Sequence, residues 1–212
     1  MPKNVKSPWP KAAERERERG EKREALLHAA VQSFNEKGFH ATSLDDVAAS
    51  LNVTKPTFYY YFANKDDILF ECVRLGLESI AEAADAVEKK GGSGLERLRA
   101  LMRDYALIMT RDFGMCVIRT SDHELAPESR KKFRALKRQI DEVVRGVVAD
   151  GMADGSIAKG DPRMVTFTLT GALNWIARWY QEGRGVEAET VADACVETLI
   201  NGLAPRKDER RA

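Results

Sequence analysis

The chain of 212 residues lacks most of what an enzyme, a membrane protein or a disulfide-held secreted domain needs. Its 3 cysteines, Cys72, Cys116 and Cys195, are far apart and show no Cys-x-x-Cys spacing. An odd, scattered set builds neither a disulfide framework nor a zinc site, and a reducing cytoplasm is the expected compartment. The longest charge-free apolar-leaning run, Met164 to Ala177, is too short to span a bilayer and contains polar residues. The N-terminus is polar and charged without an apolar h-region, which reads against a signal peptide. No His-Glu-x-x-His or comparable ligand spacing occurs, so no metal and no cofactor is expected. No nucleophile motif is present, and Gly91-Gly92-Ser93-Gly94 lacks the following lysine and preceding strand of a phosphate loop. Asp122-His123-Glu124 is what a small helical enzyme could use, but His28 and His40 lie far off and His123 reads as a loop residue. Charge of one sign is also missing: the formal net charge is +1. Residues 1–65 carry 11 Lys/Arg against 8 Asp/Glu, and the rest 23 against 25. Affinity for a polyanion would therefore come from a local patch, doubled by dimerisation, rather than from a general field.

What is present is helical periodicity, with no convincing period-two strand. The length allows one sizeable core or two small ones. Residues 1–20, with three prolines and an alternating Glu-Arg run from Glu14 to Arg19, read as a flexible N-terminal arm. A helix is expected from about Glu21 to Lys37, with the stripe Leu26, Leu27, Ala30, Val31 and Phe34, ending at Gly38. Further helices are expected over about Lys65 to Glu88, Leu95 to Thr110, Phe113 to Thr120, and Pro127 to Met152. Two more follow, from the Asp161-Pro162 start to Gln181 and from Ala188 to Leu203. The reading is all-α, with one helical domain at 21–65, a second at 66–204, and a disordered charged tail at 205–212.

Between Phe39 and Leu69 the signals converge. Ser43 can cap a helix carrying Asp46 at its third position, and Leu44, Val47, Ala48 and Leu51 give it one apolar stripe. Asn52 sits where a tight turn between two helices needs a residue able to take positive φ. Thr54 can cap the second helix, with Pro56 in its first turn. Phe58, Tyr61 and Phe62 share an inward face, leaving Lys55, Thr57, Tyr59 and Tyr60 outward. Successive helical side chains point about 100° apart, so three consecutive tyrosines cannot all face a core. Such a pair of helices forms a helix-turn-helix, a major-groove probe that reads bases with its first turn. Thr57 can contact a base edge or a thymine methyl, Lys55 a guanine or a phosphate. Tyr59 and Tyr60 put hydroxyls at phosphate distance, and Lys65 adds a cation at the amino-terminal end of the next helix.

These residues resemble the DNA-binding domain of the tetracycline-repressor (TetR) family of bacterial transcriptional regulators. The resemblance rests on Ser43-Leu44, Val47-Ala48, Lys55-Pro56-Thr57-Phe58-Tyr59, Phe62 and Lys65, which match the family pattern as a set. It implies DNA contacts at Ser43, Lys55, Pro56, Thr57, Tyr59, Tyr60 and Lys65, with His40 and Thr42 as weaker additions. It also implies a homodimer on a near-palindromic operator, which the shortage of cations in one copy requires in any case. The last two helices are the expected interface: Phe167, Thr170, Gly171 and Asn174 on one, Val191, Cys195, Thr198, Leu199 and Gly202 on the other, as a four-helix bundle.

The resemblance makes 21–65 a three-helix DNA-binding domain and 66–204 a ligand-binding and dimerisation domain, with a small-molecule pocket beyond residue 66 whose ligand shifts the long helix that begins at Lys65. Asn174-Trp175-Ile176-Ala177-Arg178-Trp179-Tyr180 followed by Gly183-Arg184-Gly185 resembles family members that respond to acyl-coenzyme A thioesters. Tyr105, Ile108, Met109, Phe113, Met115 and Trp175 could line an acyl tunnel, with Trp179 beside it. Arg111, Arg119 and Arg178 could hold phosphates. A lipophilic drug or aromatic acid is the alternative effector. Repression is the expected outcome, although activation differs only in operator position.

Overall fold

Several helix boundaries in this chain fall where a side-chain oxygen or a glycine can take up the backbone groups that a helix leaves free. The computed structural model describes residues 12–202. The first part of the expected arm and the tail 205–212 lie outside those residues. Among the described residues there are nine α-helices, one 3-10 turn and no strand. Helix α1 (Ala12–Lys37) stops at Gly38, whose φ of 81° suits only glycine comfortably. Helix α2 (Leu44–Ser50) starts at Ser43, whose hydroxyl accepts from the Asp46 amide. Asn52, at φ 55°, makes the turn into α3 (Lys55–Tyr61), with Pro56 in its first turn. Asn64 caps α4 (Lys65–Lys90) by accepting from Asp67 N–H at 2.9 Å.

One boundary departs from expectation. The Glu-Arg run assigned to a flexible arm is helical from Ala12, not from about Glu21. Opposite charges one turn apart, Arg17 with Glu21 at 3.5 Å and Lys22 with Glu18 at 3.9 Å, support these exposed turns. They do so despite Gly20 in the middle.

The remaining helices are α5 (Gly94–Met109), α6 (Asp112–Arg119), α7 (Pro127–Asp154), α8 (Pro162–Trp179) and α9 (Ala188–Asn201). Ser93 opens α5 through a reciprocal capping box with Glu96. Helix α5 is surrounded by α4, α6, α7, α8 and α9; it buries Leu98, Leu101, Met102, Ala106 and Met109, while its Arg97 and Arg103 pair with carboxylates on those neighbours. Glycines permit two backbone approaches: Gly94 lies against Gly151 of α7, and Gly76 of α4 against the Phe113 carbonyl of α6. The second contact seats α6 directly on the helix that leads to the helix-turn-helix.

The acidic-histidine cluster is structural. Asp122 accepts from Arg134 and Lys137, each at 2.6 Å, which holds its carboxyl below the usual range, while Glu124 caps the Ser121 amide. Cys72 and Cys116 are buried, and burial pushes the Cys116 thiol up to about 12, so these are packing residues rather than nucleophiles. No helix among the described residues is long and apolar enough to cross a membrane.

At Gly94 an added Cβ would overlap the Gly151 backbone, which has no flexible side chain to yield. Gly94→Ala should therefore lower unfolding free energy by about 1–3 kcal/mol in urea titration. Gly146→Ala, in open space within a helix, should not destabilise.

Candidate nucleic-acid interface and ligand cleft

Phe58, fully buried, and Phe62 anchor α3 to the core of the first domain. That fixes which side of α3 faces out. Tyr59 and Tyr60 are 50% and 69% exposed, and Tyr61 lies half-buried with its ring edge-on to Tyr60 at 4.9 Å. Pro56 is exposed and Thr57 half-exposed, its hydroxyl oxygen 3.4 Å from that of Thr54. Lys55 reaches across to Asp45 of α2 at 2.7 Å, and this hydrogen bond and charge hold its pKa above the ordinary lysine value. The pair is solvent-exposed and so weak enough to exchange for a phosphate. Arg19 of α1 lies 5.8 Å from the Tyr60 ring centre, bringing a further cation to the same surface. Ser43 caps α2 and stays half-exposed; His40 is exposed.

Two expected contacts turn inward. Thr42 is buried, its hydroxyl 2.8 Å from the Gly38 carbonyl and 3.0 Å from that of Ser33, so its side chain has no face for DNA. Lys65 donates to the carbonyls of Phe39 and Thr42, the latter at 2.7 Å, and lies 4.5 Å from the Phe39 ring centre. Burial lowers its pKa. Lys65 is therefore a brace for the Gly38–Thr42 loop rather than a free phosphate ligand. Sequence marked it only as a cation after a helix cap, a pattern that fits both roles.

The expected acyl tunnel is also displaced. Tyr105, Ile108 and Met109 are packed into the core, with the Tyr105 hydroxyl donating to Asn174 Oδ1 at 2.7 Å. Trp175, 64% exposed, and Trp179 point outward from α8. The open space lies instead between the two domains. A cleft of about 1020 Å³ runs between α1 and α6 and ends at Tyr180 and the 181–184 turn. Phe113 and Met115 supply apolar wall, and Arg111, Arg119 and Arg184 supply charge. An adjoining cleft of about 440 Å³ shares Asn35, Arg119 and Gln181 with it and adds Arg178 and Phe39. From α1 come His28, Gln32 and Asn35, none expected from sequence, because the contact between α1 and α6 joins distant parts of the chain.

These guanidiniums are held by neutral carbonyls. Arg119 donates to the Ala177 carbonyl at 2.8 Å and the Asn35 carbonyl at 3.1 Å, and Arg178 to that of Ile118 at 2.7 Å. Burial first, and Arg178 second, draw the Arg119 pKa down. Neither guanidinium is hydrogen-bonded to a carboxylate, although Asp112 and Glu124 stand in the cleft walls, and two neighbouring cations without a bonded counter-ion favour an incoming anion.

On α8, Phe167, Gly171, Trp175 and Trp179 recur at helical spacing as an outward stripe. Thr198 and Gly202 of α9 are exposed, and Cys195 and Leu199 half-buried. Val191 and Asn174, expected on that outer face, are not: Val191 is buried and Asn174 turns in to Tyr105.

If Lys65 braces the loop, Lys65→Met should cost about 1.5–3 kcal/mol of unfolding free energy, the worth of hydrogen bonds to a charged donor. Weaker DNA binding with unchanged urea unfolding would return it to the phosphate contacts.

Comparison with known proteins bears on both surfaces. Residues 91–203 match the family described as tetracyclin repressor-like, C-terminal domain, and residues 26–72 match bacterial regulatory proteins, tetR family. A TetR/AcrR-family transcriptional regulator from Thermobifida fusca is 33% identical, with 87% of this chain and 100% of that one covered and a TM-score of 0.67. AibR, solved in complex with isovaleryl coenzyme A and operator DNA, is 26% identical over 84% of this chain and 98% of its own, with a TM-score of 0.74. The fatty acid metabolism regulator protein of Bacillus subtilis (strain 168) is 23% identical over 84% of this chain and 93% of that protein.

Proposed function

The chain belongs to the tetracycline-repressor family of bacterial transcriptional regulators, and from that premise we propose that it is an operator-binding repressor released by an acyl-coenzyme A thioester. The observation that carries the effector class is the pair of interdomain clefts, where Arg119 and Arg178 donate to backbone carbonyls close to the apolar wall of Phe113 and Met115. A coenzyme A ester presents both matching parts, phosphates for the cations and an acyl chain for Phe113 and Met115. The relatives point the same way, one regulating fatty acid metabolism and one solved with isovaleryl coenzyme A and operator DNA.

On the DNA side, α3 enters the major groove. Thr57 and Lys55 reach base edges from its first turn, while Tyr59 and Tyr60 fix register on phosphates. One copy brings few cations, so two act together, joined along the α8 stripe and the exposed side of α9. Their α3 helices then sit roughly 34–36 Å apart, or a multiple, on a near-palindrome. An effector that favours a different spacing releases the DNA, with coupling of roughly 1–3 kcal/mol.

Selection from a random duplex pool should return a near-palindrome, followed by its release with lauroyl-coenzyme A but not with lauric acid. Recovery of no duplex would refute the DNA reading; release by the free acid would refute the thioester. Trp175→Asp puts a charge into the α8 stripe and should yield monomers in sedimentation. Operator affinity should then fall by on the order of a hundredfold, as the second site no longer binds intramolecularly. Arg178→Met should raise the lauroyl-coenzyme A concentration for half-release by about tenfold to a hundredfold, the worth of one charge-assisted bond. Equal release by that variant would take Arg178 out of the phosphate site.

A further inference from the structure

Helix α1 packs on α2 and α4 within the first domain and on α6 in the second. Its last turn is tied down by a small seam. Asn35 Nδ2 donates to the Asp112 carbonyl at 2.9 Å, and Arg119 Nη1 donates to the Asn35 carbonyl at 3.1 Å. The same guanidinium, through Nε, holds the Ala177 carbonyl near the end of α8 at 2.8 Å. Arg119 thus links three helices. Asn35 lies among the last residues of α1, where helical carbonyls have no partner further along the helix, and Arg119 serves as its cap. Asn35 Oδ1 is buried and has no hydrogen-bond partner. The seam is therefore incompletely satisfied in this arrangement, and a second arrangement has something to gain. Both residues line both interdomain clefts.

We propose that Asn35 and Arg119 form an anion-releasable latch through which an occupant of the cleft moves the DNA-binding domain by way of α1. This rests on the effector reading above and names its route. Arg119 binds two neutral carbonyls, whereas a phosphate or carboxylate in the same cleft offers a charge-assisted, bidentate partner. The two carbonyls take one Nε and one Nη1 donor, so an anion meets the remaining Nη donors and draws the guanidinium toward itself, at the expense of the longer 3.1 Å bond to Asn35. The end of α1 then loses its cap immediately before Gly38. Beyond Gly38 the chain runs through Phe39 and Thr42, the two residues whose carbonyls Lys65 braces, and into the cap of α2. Release of the latch consequently reaches the reading head through the Gly38–Thr42 loop, in addition to any movement of α4.

The test compares full-length wild type with Asn35→Ala, Arg119→Gln and Arg119→Lys by amide hydrogen exchange over residues 36–43 and by affinity for the selected operator. Melting and sedimentation establish that each variant is folded and dimeric. In wild type, lauroyl-coenzyme A should raise exchange across that loop. Asn35→Ala and Arg119→Gln should show raised exchange without ester. Their operator affinity should be about tenfold lower, and addition of ester should change it little further. Arg119→Lys keeps the charge but loses the fork, and should fall between. Folded, dimeric variants with wild-type exchange at 36–43 and wild-type operator affinity would overturn the latch. Should Arg119→Gln not fold, Asn35→Ala decides alone. Failure of lauroyl-coenzyme A to bind wild type would remove the effector reading, while loop exchange in the variants still decides the latch.

Discussion

Helix α1 packs against elements of both domains within one continuous core, and the coupling between the domains depends on that constraint. Leu26, Leu27, Ala30, Val31 and Phe34 are all buried, yet the helix faces α2 and α4 along part of its surface and α6 along another. A rigid helix cannot satisfy both sides independently. Whatever changes the gap between α1 and α6 must tilt the first domain or break a contact, because packed interiors do not deform continuously. Gly76 sharpens this by seating α6 directly on α4. The wedge formed by α6 thus touches both elements that carry the helix-turn-helix, α1 from one side and α4 from the other. A cleft bounded by α1 and α6 lies at the point where small displacements have the largest consequence for α3.

Charge is distributed in keeping with that arrangement. A net charge of +1 gives no long-range pull toward DNA, so recognition depends on where the few cations stand. Lys55 and Arg19 lie on the surface that carries Tyr59 and Tyr60, each held by a partner weak enough to exchange. Arg119 and Arg178 sit in the cleft with carbonyls as partners. Elsewhere, arginines such as Arg97 and Arg103 pair with carboxylates on neighbouring helices and hold the bundle together. What separates Arg119 and Arg178 from the bundle-holding arginines is the kind of partner, a carbonyl rather than a carboxylate, whereas Lys55 on the tyrosine surface keeps a carboxylate.

Most of the helical architecture was legible because its signals are local. Ser43 and Asn52 act where capping and turn rules place them, and Pro127 and Pro162 open their helices in the first turn, whereas Thr54 stands at its N-cap position without the expected side-chain bond. The outward tyrosines followed from helical geometry once Phe58 was taken as the anchor. Misplaced residues share a different origin. Tyr105, Ile108 and Met109 lie on a helix enclosed by five others, where periodicity marks burial but does not say which buried residues meet a cavity. Trp175 and Trp179 are large, apolar and helical, a description that fits a pocket wall and an outer stripe equally. Asn35, Gln32 and His28 escaped notice because their importance arises from a contact between residues far apart in sequence.

Lys65 and Arg119 show how two cations that look alike in sequence come to differ. Both end up donating to backbone carbonyls near the Gly38 bend, Lys65 to Phe39 and Thr42, Arg119 to Asn35. Lys65 is a single ammonium held by loop carbonyls and an aromatic face, with nothing in that setting to draw it away. Arg119 lines open space on both sides and has a second cation, Arg178, near enough to depress its pKa. Mutual repulsion of two guanidiniums is relieved by an anion between them, and nothing comparable acts on Lys65. The same bend is therefore held by one fixed brace and one cap that faces open space, which is why the proposed latch falls on Arg119 and not on Lys65.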